Sequence, residues 1–177
     1  MTFFAKEQFE LIESVLSSSE MPDGVKIRTV DFEDDIKAIQ SLPMDDYDTI
    51  VPVYGMVAED CADELTLIAT RDGNPIGQIS VSLELRDSDF LELDLFFNGI
   101  FVSDEERGKH IGTTLGKVAV DIMMLWLKKA CLDTGKLPGG ITVGGDTLPG
   151  SAGAAVEKFM QNYADQLCEE FEEHGGV

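Results

Sequence analysis

Apolar residues recur along this chain with two periods, and the alternation between them marks out the elements. Phe9, Ile12 and Leu16, flanked by Phe4, Leu11 and Val15, keep the three-to-four spacing of a helix. Ser17 to Ser19 and Pro22-Asp23-Gly24 supply the residues that end it. Val25 to Val30 reads as a strand, and Asp31 as the N-cap of a helix carrying Phe32, Ile36 and Ile39. From Ser41 to Asp63 no period holds, and Pro43, Pro52 and Gly55 interrupt any long element. Leu65 to Thr70 and Ile76 to Leu85 are strand-like and flank the turn Asp72-Gly73-Asn74-Pro75, so they predict a hairpin. Leu91, Leu93 and Leu95 alternate with Glu92 and Asp94, which predicts a strand burying one face and turning carboxylates from the other.

Asn98-Gly99 interrupts this strand with a dipeptide that also suits a hairpin turn. A bulge at Gly99 reconciles that signal with a strand continuing to Val102. Beyond it, Ile111, Leu115, Val118, Ile122 and Trp126 return to helical spacing. Gly139 to Gly144 predicts a short strand, and Ala154 to Leu167 a last helix with Val156, Phe159, Tyr163 and Leu167 on one side. Strands and helices thus mix in an α/β order, with the first helix (residues 1–24) as an extension to a domain over 25–177.

A chain of 177 residues, 44% of them hydrophobic, suffices for one buried core. No apolar run reaches the roughly 20 residues of a membrane helix, and the N-terminus shows no basic leader, so a cytoplasmic, membrane-independent protein is expected. Cys61, Cys131 and Cys168 have neither metal-type spacing nor an activating His nearby, and predict reduced bystanders and no metal site. With 34 Asp and Glu against 13 Lys and Arg, the net charge is −21. Such a surface repels nucleic acid and anionic membranes and steers cationic molecules toward it. The acids concentrate at 31–35, 45–48, 59–64 and 169–173.

Against that background the basic stretch Arg107-Gly108-Lys109-His110-Ile111-Gly112-Thr113 stands out. It lies between a predicted strand and a predicted helix, where unpaired backbone N–H groups and the positive helix end suit a phosphate. Here the sequence resembles the GNAT superfamily of acetyl-CoA-dependent N-acetyltransferases. The family signature is Arg or Gln, two residues, Gly, one residue, then Gly or Ala. His110 stands at its first glycine and Gly112 at its last position. The acidic turn Ser103-Asp104-Glu105-Glu106 after Val102 has the family's habit as well.

The resemblance implies a GNAT-like fold, a mixed and mostly antiparallel sheet flanked by helices, with acetyl-CoA as acyl donor. It implies transfer of the acetyl group to a primary amine of a cationic small molecule or protein. Arg107, Lys109 and the N–H groups from Gly108 through His110, Ile111 and Gly112 to Thr113 would hold the pyrophosphate. An N–H near Phe101 or Val102 would hold the thioester carbonyl. Asp94 and Glu92 are the candidate bases that remove a proton from the amine, with Glu59 and Asp60 as alternatives. Tyr163 is the candidate acid, or else a core tyrosine. His110 either turns its imidazole away and offers its N–H, or crowds the phosphate. The alternative function is a catalytically inactive, acidic GNAT-like protein that binds a basic partner, and a homodimer is left open.

Overall fold

A computed structural model describes residues 6–29 and 64–173 of the protein. The helix predicted over 31–39, the aperiodic stretch to Asp63, and Glu59 and Asp60 lie outside the described residues. The described elements are α1 (Lys6–Ser18), β1 (Val25–Thr29), β2 (Glu64–Arg71), β3 (Asn74–Asp87), β4 (Leu91–Val102), α2 (Ile111–Thr134), β5 (Pro138–Gly144) and α3 (Ala152–Glu173). A single turn of 3-10 helix, Asp104–Glu106, follows β4. The strands form one sheet in the order β1-β2-β3-β4-β5. The first four are antiparallel, and β5 returns through α2 to lie parallel to β4. This is the mixed sheet flanked by helices that the resemblance implies.

The hairpin closes as its turn residues require. Asp72 and Gly73 both take positive φ, 51° and 81°, which turns the chain in the sense that matches strand twist. Alternation then sorts the strands into faces. Leu91, Leu93, Leu95 and Phe97 of β4 bury with Ile79, Val81 and Leu83 of β3 in the core that also holds Leu115, Val118, Ile122 and Met123 of α2. Full burial of each such side chain is worth roughly 1.5–3 kcal/mol. Ile12 of α1 is fully buried in the same cluster.

Helix α2 has the predicted inward face, and Gly135, at φ 70°, ends it by returning its N–H to Cys131 O at 2.8 Å. Helix α3 is longer than the periodicity suggests. Its innermost line is Val156, Met160 and Ala164, while Phe159, Tyr163 and Leu167 are only partly buried beside it. The two helices approach closely at Gly116, where a Cβ would lie 2.8 Å from Met160 Cγ.

Two irregularities of β4 prepare a site. Ser80 pairs with Gly99 but Val81 with Phe97, so Asn98 is the extra residue of a bulge. Its amide donates to Ser82 Oγ at 2.6 Å. The second irregularity is divergence from β5. The last pair between them is Phe96 with Gly144, yet β4 runs on to Val102 beside β3. At the point of parting a Cβ on Gly145 would lie 2.6 Å from Phe97 O. Glycine is what allows the two backbones to come so near.

Candidate active site

Beyond the point where β4 parts from β5, the last residues of β4 border a cleft of about 550 Å³. Ile100, Phe101 and Val102 form one side, Ala152, Gly153 and Val156 at the start of α3 the other, and the loop from Glu106 to Thr113 the head. Strand alternation decides which backbone groups face it. Ser103 N–H donates to Ile76 O at 2.9 Å, so Ser103 and Phe101 turn toward β3. Ile100 and Val102 turn the opposite way. Of the two N–H candidates for a carbonyl, Val102 therefore faces the open side and Phe101 does not. Arg107 Nε donating to Val102 O at 3.2 Å agrees with that orientation.

The loop is a run of unbonded donors. Gly108 and His110 both adopt the left-handed conformation, at φ 77° and 62°. Among the described residues no carbonyl accepts from the N–H groups of Gly108, His110, Ile111, Gly112 or Thr113. His110 O, by contrast, is saturated: it accepts from Thr114 N and from the hydroxyls of Thr113 and Thr114, each at 2.9 Å. This fixes the first turn of α2. The left-handed geometry explains why glycine is the family residue at position 110. His is one of the side chains that tolerate this region, at a cost of roughly 1 kcal/mol. Gly112 has a different reason: a Cβ there would meet Ile100 Cδ1 at 3.3 Å and Val156 Cγ2 at 3.4 Å, so glycine keeps the cleft open between α2 and its neighbours.

The loop cations are engaged locally. Arg107 lines the cleft and pairs with Asp104 at 2.7 Å. Lys109 does not line it; its ammonium lies 3.3 Å from Glu106. Glu106 does line the cleft, is also held by Arg71 Nη2 at 3.0 Å, and has a side chain only 12% exposed. The sequence reading put this carboxylate in the acidic turn but gave it no place in the cleft. Its spacing, three residues before Lys109, was the available signal. The same reading gave no place there to Ala152, Gly153 or Val156, although a run of small residues opening a helix marks a place of close approach.

The candidate acid and bases stand elsewhere. Tyr163 is not among the residues lining the cleft; it donates to Asp121 Oδ1 at 2.7 Å, across from α3 to α2. Lys117 completes this group, 3.0 Å from Asp121 Oδ2 and 4.9 Å above the Tyr163 ring. Burial, and then the bond to Asp121, push the Tyr163 hydroxyl above its ordinary pKa. Tyr163 is thus partly buried against the core, with its hydroxyl held by Asp121. Asp94 and Glu92 lie on the face of β4 opposite the core, on the stretch that still pairs with β5, before the two strands part. Asp94 accepts from Arg86 Nη2, and Glu92 lies 3.5 Å from Arg86 Nη1. The bond to Asp94, though opposed by some desolvation, raises the pKa of Arg86. Among the described residues no cluster suited to a metal ion occurs, and no described helix is long and apolar enough to cross a membrane.

Comparison with known proteins gives a family. The model of the acetyltransferase (GNAT) family matches residues 33–134, more than half of the chain. Among solved structures, the ribosomal-protein-alanine N-acetyltransferase of Brucella melitensis biovar Abortus 2308 is 17% identical, with 75% of this chain and 86% of that one covered and a TM-score of 0.51. The aminoglycoside 6′-N-acetyltransferase of Acinetobacter baumannii is 19% identical, with 77% and 89% covered and a TM-score of 0.47. For the glucosamine-6-phosphate N-acetyltransferase of Arabidopsis thaliana the figures are 16%, 76%, 89% and 0.42. At such identities the likeness, carried by the first of the three, is one of fold. No curated protein sequence matches the chain.

Proposed function

The chain belongs to the GNAT family of acetyltransferases, and on that footing we propose that it transfers the acetyl group of acetyl-CoA to a primary amine of a cationic small molecule or protein. One observation carries the reading: the row of free N–H groups at the head of α2 lies at the head of the cleft between the end of β4 and the start of α3. A pyrophosphate suits that row, because each donor is already stripped of a protein partner and the helix end adds positive potential. The pantetheine arm suits the apolar walls of Ile100 and Val156 below it.

Bound acetyl-CoA supplies the thioester. The chain supplies orientation, charge and a route for the proton. The N–H groups of Gly108 and of His110 to Thr113 hold the phosphates, and Arg107, beside them, adds charge-assisted bonds. Val102 N–H, fixed on the open side of β4, stabilises negative charge on the carbonyl oxygen as the amine attacks. An ammonium has no lone pair, so a base must act first. We assign that step to Asp94 rather than Glu92, since Asp94 is nearer the parting of the strands and its side chain is only 15% exposed. Val102 lies eight residues farther along β4, on the order of 26 Å of extended strand, so the proton reaches Asp94 only along a chain of waters. The remaining acids favour cationic acceptors through long-range attraction.

The test is release of free CoA thiol with a panel of polyamines, aminosugars, basic peptides and neutral amines at low and high salt. Turnover should favour the cationic amines, and salt should erode that preference as screening shortens the attraction. Preference for an anionic acceptor would overturn the assignment of substrate class. Failure to bind acetyl-CoA at millimolar concentration would overturn the activity itself.

A further inference from the structure

A carboxylate inside a cleft built for an anion needs an explanation, and Glu106 is such a group. It lines the cleft with a nearly buried side chain, held by Arg71 at 3.0 Å and holding Lys109 at 3.3 Å. Arg71 is itself tied down, donating through Nη1 to Asp23 O at 2.8 Å. The acid is therefore anchored from the sheet side, while Lys109, about half exposed on a short turn, is the movable member of the pair. The neighbouring pair of Arg107 with Asp104 has the same spacing but a different setting. Asp104 is 70% exposed, so water screens it and its hold on Arg107 is weak.

We propose that Glu106 is an internal rival for the cofactor phosphates: in the free protein it holds Lys109, and a bound pyrophosphate must take Lys109 away from it. This rests on the reading of the cleft as an acetyl-CoA site and adds a tuning residue to it. The rivalry weakens affinity for both acetyl-CoA and CoA, which speeds release of the CoA product. As the phosphate leaves, Lys109 returns to Glu106, and the loop regains its resting ion pair without recruiting any outside group.

The experiment is calorimetry of CoA binding to the wild type, Glu106→Gln, Lys109→Gln and the double variant, with thermal unfolding of each. Gln at 106 keeps an oxygen for Arg71, so the fold should persist. Glu106→Gln should tighten CoA binding by roughly three- to tenfold, the effect expected when one partly screened cation, Lys109, no longer has to be drawn from an ion pair to meet the phosphate. That gain should vanish when Lys109 is also Gln, because no cation remains to be freed. Asp104→Asn, the exposed counterpart, should change affinity by less than about twofold. Unchanged or weaker binding in a folded Glu106→Gln overturns the proposal. So does a gain that persists in the double variant, since that is plain repulsion without exchange of Lys109. A wild type that binds no CoA refutes the acetyltransferase site instead, and the two failures are thereby distinct.

Discussion

Gly144 and Gly145 are adjacent, yet substitution by Ala should shift stability in opposite directions. At Gly145 the new Cβ would lie 2.6 Å from Phe97 O and 3.1 Å from Phe97 Cβ. Ordinary contact begins near 3.4 Å, so one of the two backbones must retreat by the better part of an ångström. Overpacking of this kind costs about 1–3 kcal/mol. Loss of glycine freedom in the unfolded chain returns about 0.4–1 kcal/mol. The net is a destabilisation of about 1–2 kcal/mol, and at 2–4 °C per kcal/mol for a chain of this size Tm should fall by roughly 2–8 °C. At Gly144 nothing lies within 4 Å of the added methyl and φ is not positive. Gly144→Ala should therefore hold Tm or raise it slightly. The parting of β4 from β5 is set at Gly145, so Gly145→Ala should also weaken acetyl-CoA binding in calorimetry. A Gly145→Ala protein as stable as Gly144→Ala would refute the close approach, and unchanged affinity in a destabilised variant would remove the parting of the strands from the binding site.

Tyr163→Phe should cost about 1–2 kcal/mol in denaturant unfolding, since it removes a hydrogen bond to a charged partner. Tyr163 and Lys117 both have pKa values above the ordinary range, the first through burial and the bond to Asp121, the second through bonds to Tyr163 and Asp121 that outweigh partial burial. A folded pKa above the unfolded one gives stability that is intact below the unfolded value and lost as pH rises through the folded value. Stability should thus be flat near neutrality and decline above about pH 10, less steeply in Tyr163→Phe; a variant with the full alkaline slope would contradict this. His110→Gly relieves a left-handed side chain but loosens the loop, so Tm should change by no more than about 2 °C and acetyl-CoA affinity by less than about threefold; a tenfold loss of affinity would make the imidazole itself a ligand. Gln161 accepts from Val143 N at 2.7 Å and donates to Ile141 O at 3.5 Å, standing where a further strand would pair with β5. Gln161→Leu should expose that edge and promote concentration-dependent association in light scattering, and a variant as monodisperse as the wild type would count against the role.

Most of the sheet was legible because its signals are local. Alternation along Leu91, Leu93 and Leu95, the Asp72-Gly73 turn and the helical return of Ile111 to Trp126 each depend on a few neighbouring residues. The bulge was legible for the same reason, as a turn signal inside a strand that could not end, although its extra residue is Asn98 where the sequence suggested Gly99. What the sequence concealed depends on contacts between distant segments. Tyr163 sits on the apolar side of its helix, and its bond to Asp121 depends on the packing of α3 on α2, which no local pattern records. Met160 and Ala164 were overlooked as the innermost line because the aromatic residues beside them dominate the pattern. The positive charge of Arg107 and Lys109 was legible, but their capture by Asp104 and Glu106 was not, since a charge run says nothing of which acid each cation meets.

The most direct test of the account is the backbone amide spectrum of the labelled protein titrated with acetyl-CoA. If the head of α2 and the open edge of β4 form the cofactor site, the amide signals of Gly108, His110 to Thr113 and Val102 should shift first and most, saturating in the micromolar range. Those of β1 and the Tyr163 region should stay in place. Shifts confined to other parts of the sheet, or a spectrum unmoved at millimolar acetyl-CoA, would contradict it.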